Sequence, residues 1–461
     1  MERPNAWKQY DEKALNELEA VSRKYRTFLD HGKTERECVR ETVETAKAAG
    51  YVDLNDAIKA GKALKPGDKV YVNCMGKAIM LFHLGKKPLT DGINIVGAHI
   101  DSPRMDLKQN PFYEDTDLAY ADTHYYGGIK KYQWVARPLA LHGVVAKKDG
   151  SLVDVVIGED ADDPVVGVSD ILIHLAAEQM GKKASEAVTG ENLDVLLCGK
   201  PLTGEEKEPV KAMLLKILKE KYDLEEEDML SAEIEVVPAD KCRDFGLDRS
   251  MLLGYGHDDR VCSFASLEAI LRLPTVPDST CCCLLADKEE IGSVGATGMR
   301  AHYFENAMAE LLALTQPEYS ELALRRALAA CRMLSCDVSA GYDPLYASCF
   351  EKKNAAYLGR GVCYNKYTGS RGKSGSNDAN AEFLGRLRKI MDDNQVAWQT
   401  AELGKVDVGG GGTIAYICAL YGMEVVDSGV PVLSMHAPLE IISKADLYEA
   451  VKAYHAFMCQ G

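Results

Sequence analysis

Four apolar runs in this chain each stop at a side chain able to hold a metal ion, and this repeated ending limits the fold more than any bulk property. Ile93–Ala98 leads into His99, with Asp101 two residues on. Cys281–Ala286 leads into Asp287-Lys288-Glu289-Glu290, Arg332–Cys336 into Asp337, and Pro431–Met435 into His436. A fifth element, Gly256-His257-Asp258-Asp259-Arg260, sits ahead of a helix-like segment, Ser263–Leu271. Short continuous apolar runs of this kind read as strands buried on both faces. In an open α/β sheet the functional crevice lies at the carboxyl ends of the strands, so residues scattered along the chain converge if the runs share one sheet.

Alternation of strand-like and helix-like segments before about residue 110 and after about 245 predicts an α/β catalytic domain. Its helices include an N-terminal pair, with Leu15, Leu18 and Val21 at helical spacing. The span between has a different texture. Leu139–Val145 and Ser151–Ile157 flank Lys147-Lys148-Asp149-Gly150, a hairpin signal, and Val210–Tyr222 is helix-like before the acidic run Glu225–Asp228. None of the candidate ligands falls there. The expected organisation is 1–110 and 246–461 as one catalytic domain, interrupted by a β-rich insertion at 111–245. Near the end, Ser443 and Asp446 have capping-box spacing, with Leu447, Val451 and Tyr454 on one face of a last helix.

Composition narrows the function. A formal charge of −16 disfavours nucleic acid and anionic membrane as partners, and no apolar stretch approaches the roughly 20 residues of a membrane span. The polar start, Met1–Gln9, has no signal-peptide core, and the 14 cysteines include no C-x-x-C pair. Reduced thiols in the cytoplasm are expected.

Two histidines and several carboxylates suit zinc, with cobalt and manganese as alternatives, rather than calcium. Two such ions need a bridging carboxylate. Asp258 is read as that bridge, with Asp259 as the alternative. His99 and Asp337 would complete one site, Glu290 and His436 the other. Glu289 is then left as general base, carrying a proton to a leaving amine. Asp101 is placed to orient His99, and Arg260 to brace a neighbouring carboxylate. Gly409–Gly412 lacks the ending of a phosphate loop and reads as a close backbone approach to substrate.

The ordered set Ala98-His99-Ile100-Asp101-Ser102-Pro103, Asp258-Asp259-Arg260, Glu289-Glu290-Ile291-Gly292, Ser335-Cys336-Asp337 and Met435-His436 resembles the aspartyl aminopeptidase family of dinuclear metallopeptidases. The resemblance covers about residue 70 to the end. It implies a three-layer metallopeptidase domain, removal of N-terminal residues from peptides, and a homo-oligomer, a dodecamer, for which the insertion serves as oligomerisation and lid domain. It also implies that His174 reaches a neighbouring subunit's active site to meet a developing oxyanion, and that Lys366 faces an acidic first side chain of the substrate. The loop Gly369–Gly375 departs from the aspartate-specific pattern. A broad-specificity or glutamyl-type aminopeptidase is the nearest alternative, a deacylase or carboxypeptidase a further one. From another class, a metal-stabilised scaffold or receptor without activity competes, against which the intact Glu289 speaks.

Overall fold

Strands 281–286, 94–99, 332–336 and 424–429 lie side by side and parallel, the centre of a nine-stranded sheet. The computed structural model describes residues 3–461. Two compact units divide them: 1–101, 242–435 and 440–461 form the first, and 102–241 with 436–439 the second. The insertion expected at 111–245 compares with the 102–241 stretch of this second unit.

Period-two alternation explains why the central strands are apolar throughout. Cys281, Cys283 and Leu285 face one hydrophobic cluster, built with helices 12–31, 257–271, 381–393 and 444–460. Cys282, Leu284 and Ala286 face the other, with helices 303–315, 321–329 and 415–419. The first unit is therefore helix, sheet, helix, in three layers. A thiol buried between two such layers behaves as a small hydrophobe. Burial pushes the Cys281 thiol far up, and Cys331 up to about 12, so neither is poised as a nucleophile.

Helices begin where side chains can satisfy the first amides. Asp11 accepts from the Ala14 amide, and Thr34 with Glu37 forms a reciprocal capping box. Helix 12–31 buries Leu18, Val21, Tyr25, Phe28 and Leu29, whereas Leu15 is 40% exposed, off the buried face. Helix 444–460 also departs from expectation. Ser443 caps it by accepting from the Ala445 amide, but the Asp446 carboxylate turns to the Gly359 and Gly361 amides, 2.7 Å each, instead of closing a box. That helix is buried on nearly all sides, not on the single face of Leu447, Val451 and Tyr454.

Strand 431–433 does not join the large sheet. It belongs to a five-stranded sheet with 243–245, 251–254, 440–443 and 339–340. The run before His436 is thus not in the same sheet as the other three, and the one-sheet expectation is corrected there. The second unit holds a six-stranded antiparallel sheet. Its 139–146 and 152–157 strands form the expected hairpin, closed by Lys147 donating to the Ser151 carbonyl at 2.9 Å. Helix 209–222 follows, and the acidic run becomes a 3-10 helix over 226–231, capped by its own carboxylates.

Gly92 turns the chain into strand 94–99 at φ +86°, and a Cβ there would stand 2.0 Å from the Ala330 carbonyl oxygen. Gly92→Ala is expected to destabilise the first unit by about 2 kcal/mol or more, read as a lowered urea midpoint.

Candidate metal centre

Register sets the site. His99 closes strand 94–99 opposite Ala286, the last residue of strand 281–286, and Asp337 follows strand 332–336 on the other side. Three carboxyl ends therefore open at one edge of the sheet. Asp258 arrives from the five-stranded sheet, just after strand 251–254, at the start of helix 257–271. Its Oδ1 is 3.3 Å from His99 Nε2, and Asp337 Oδ1 is 3.8 Å from the same nitrogen. His99, Asp258 and Asp337 each offer one ligand atom within 4.8 Å of the others. The same limit holds between Asp258 and Glu290, which sits in the 3-10 turn 289–291. Asp258 is the residue common to both groupings.

Asp259, joined to Asp258 by a cis peptide, points elsewhere: its Oδ2 accepts from the His99 amide at 3.2 Å. Ser263 donates to the His99 carbonyl at 2.7 Å. Arg260 is fully buried and donates to the carbonyls of Ile100, 3.2 Å, and Lys33, 2.7 Å. Asp101 accepts from the amides of Glu289, 3.1 Å, and Glu290, 3.2 Å, and its Oδ1 lies 3.3 Å from His99 Nδ1. One carboxylate thus orients both the histidine and the Glu-Glu turn.

Sequence reasoning missed Glu440 and Asp427. Glu440, 1% exposed, accepts from the Asp258 amide at 2.9 Å. Asp427 in strand 424–429 accepts from Thr413 Oγ1 at 2.5 Å. Burial pushes its carboxyl up to about 7; the Thr413 bond opposes this and the Asp337 charge adds to it. Neither residue stands in a motif, and only an acid inside an otherwise apolar strand hints at Asp427.

Electrostatically the centre demands positive charge. Burial alone would lower the His99 pKa, but bonds to Asp101, Asp258 and Asp337 outweigh it and raise the pKa well above the usual histidine value. Burial, then Asp337, Asp101 and Asp258, push Glu289 up to about 8, with His99 opposing. Crowded carboxylates around a buried imidazole are the environment a divalent cation relieves, and the donor set fits zinc.

The remaining expected residues lie on other elements. His436 falls in the stretch 436–439 of the second unit, where its Nδ1 meets the Gly128 carbonyl at 2.9 Å. With Nδ1 donating, Nε2 is the nitrogen that carries the lone pair. His174, in the short 3-10 turn 173–175, is exposed rather than a core histidine. Lys366 is exposed immediately after strand 362–365. Of the glycine run, Gly409 and Gly410 abut Leu403 and Gly369 of this chain, while Cβ atoms at Gly411 and Gly412 would meet open space.

A three-layer α/β domain with histidine and carboxylate side chains converging at strand ends defines a protein of the metallohydrolase class. Residues 28–458 match the model of the aminopeptidase I zinc metalloprotease (M18) family. The "Probable M18 family aminopeptidase 1" of Clostridium acetobutylicum is 58% identical over 455 residues, 98% of this chain and 97% of that protein. The same-named protein of Thermotoga maritima is 45% identical over 458 residues, 99% of each chain. The crystal structure of the Thermotoga maritima M18 aminopeptidase superposes with a TM-score of 0.95 over 100% of both chains, at 44% identity. Aminopeptidase I of Clostridium acetobutylicum does so at 0.92 over 99% of both, at 55% identity. The chain belongs to the M18 family of zinc metalloproteases and is an aminopeptidase, a hydrolase acting on peptides.

Asp427 Oδ2 has no partner among the described residues, so Thr413 supplies the one side-chain donor to this buried group. Thr413→Val should lower stability by about 1–3 kcal/mol, measured by urea unfolding.

Proposed function

We propose that the chain removes N-terminal residues, with Asp and Glu preferred, at a centre of two divalent ions. His99 and Asp337 would hold one ion, Glu290 and His436 the other, with Asp258 as the carboxylate shared between them. Placement of the Asp258 carboxylate in both ligand groupings, while Asp259 is bonded to the His99 amide, is the observation that carries this assignment. When bound, the ions acidify water and polarise the scissile carbonyl, with zinc, cobalt or manganese all suited. Glu289 takes the proton from the attacking water and delivers it to the departing amine nitrogen. Its carboxyl is pushed upward by burial and by neighbouring carboxylates, a setting in which a proton is exchanged readily near neutrality, and bound cations would pull it back down. Asp101 fixes the backbone of the turn that carries Glu289 and Glu290 by accepting both of their amides.

Lys366 supplies the cation for an acidic first side chain, as a charge at the exposed mouth of its loop. His174 acts on a neighbouring subunit. It is flanked by an exposed apolar run in which Ile173 and Leu175 are 66% and 69% exposed, more than a solvent-facing segment of a monomer usually shows. The S. cerevisiae protein mApe1, 19% identical, is a dodecamer. Assembly of this chain into a homo-oligomer of that kind, through the second unit, follows the same reading. Free thiols such as those of Cys281, Cys282 and Cys283 agree with a reducing cytoplasm.

Glu289→Gln should cut kcat by at least about a thousandfold while two metals per chain remain by elemental analysis. Lost metal instead would make Glu289 a ligand. Asp258→Ala is expected to release both ions; loss of one alone would move the bridge to Asp259. On metal-loaded enzyme, Asp and Glu reporters with free amines should turn over faster than Leu or Lys reporters, their N-acetylated twins not at all, and Lys366→Ala should erase the acidic preference. Equal rates across the panel would refute the preference, and silence across it would point to a scaffold.

A further inference from the structure

A cavity of about 880 Å³ opens beside the edge strand 398–400, among residues of the first unit that supply none of the candidate ligands. Three strand steps separate it from strand 332–336, about 14 Å at the usual sheet spacing. Its charge runs against that of the chain. Arg3, Lys352, Lys353, Arg360 and Arg388 line it with Glu351 as the single acid, in a protein with 70 acidic and 54 basic residues. Glu351 is turned to its own loop, accepting from the Lys353 amide and Asn354 Nδ2. Among the described residues, Lys352, Lys353 and Arg388 make no ion pair, although carboxylates abound on this surface. Leu384, Leu387 and Trp398 give the cavity an apolar floor.

The wall is built, not incidental. The Asp446 carboxylate pins the amides of Gly359 and Gly361, fixing the turn that carries Arg360. Gln399 clamps the same turn from the strand, donating to the Tyr357 and Gly361 carbonyls and accepting from the Tyr357 amide. Arg360 lies flat on Tyr357, 4.3 Å from its ring centroid, and Arg3 on Trp398 at 3.7 Å. Holding the wall in place beforehand lowers the entropy cost of binding, and Lys352, Lys353 and Arg388 supply the cations that face an anion there. We propose that this cavity is a second ligand site, separate from the metal centre, for a small polyanion bearing two or more phosphate or carboxylate groups on a compact body. Its volume lies within the range of small-molecule sites.

Calorimetric titration of the intact, metal-loaded enzyme tests it with two weakly chelating probes that the peptidase does not consume. Fructose 1,6-bisphosphate represents phosphates and N-acetyl-aspartyl-glutamate carboxylates, with fructose as the neutral control. At least one anion should bind with Kd below about 1 mM and fructose should not; which anion binds assigns the group. The double variant Lys353→Glu with Arg388→Glu, both exposed, should weaken that binding roughly tenfold or more while peptide turnover stays at the wild-type rate. Absence of binding by either anion up to about 1 mM, or equal affinity in the double variant, would overturn the proposal.

Discussion

Strand 94–99 ends in buried main-chain groups, and helix 257–271 bonds three of them. Asp259 takes the His99 amide, Ser263 donates to its carbonyl, and Arg260 binds the next carbonyl, Ile100, together with that of Lys33. Buried peptide groups must be paired, so these bonds fix where the strand stops and how its last side chains point. His99 and Asp101 take their directions from that anchoring, and Asp101 in turn sets the Glu289-Glu290 turn through two amides. Disturbing Arg260 or Ser263 would therefore reach His99 and Asp101 without touching either of them.

Such a site is held against its own electrostatics. Asp258, Asp337 and Asp101 crowd one buried imidazole, and burial together with their charges makes Glu289 harder to ionise. Rigid layers on both faces of the sheet prevent the groups from moving apart. A divalent cation held there would turn that repulsion into attraction.

Much was legible in the chain because buried parallel strands announce themselves as continuous apolar runs. Cys281–Ala286 was marked as a strand to the residue, and 94–99, 332–336 and the 139–157 hairpin were close. His99, Asp258 and Asp337 came out as one cluster for the same reason: a ligand just past a strand end must lie at the sheet's edge. Misreadings arose where local pattern met longer-range competition. Asp446 stands at capping-box spacing from Ser443, yet two amides 85 and 87 residues away claim its carboxylate.

By itself, then, the order of residues determined an α/β catalytic domain and the chemistry at the strand ends, because continuous apolar runs and ligand type are local properties. Tertiary structure alone decided that 431–433 joins a separate five-stranded sheet, and that Asp258 rather than Asp259 turns toward His99 Nε2. It also decided that Glu440 and Asp427 back the site, and that five cations gather around one cavity in an acidic protein. Each depends on which distant main-chain or charged group comes within about 3 Å, a matter of packing among layers that neighbours in sequence do not encode.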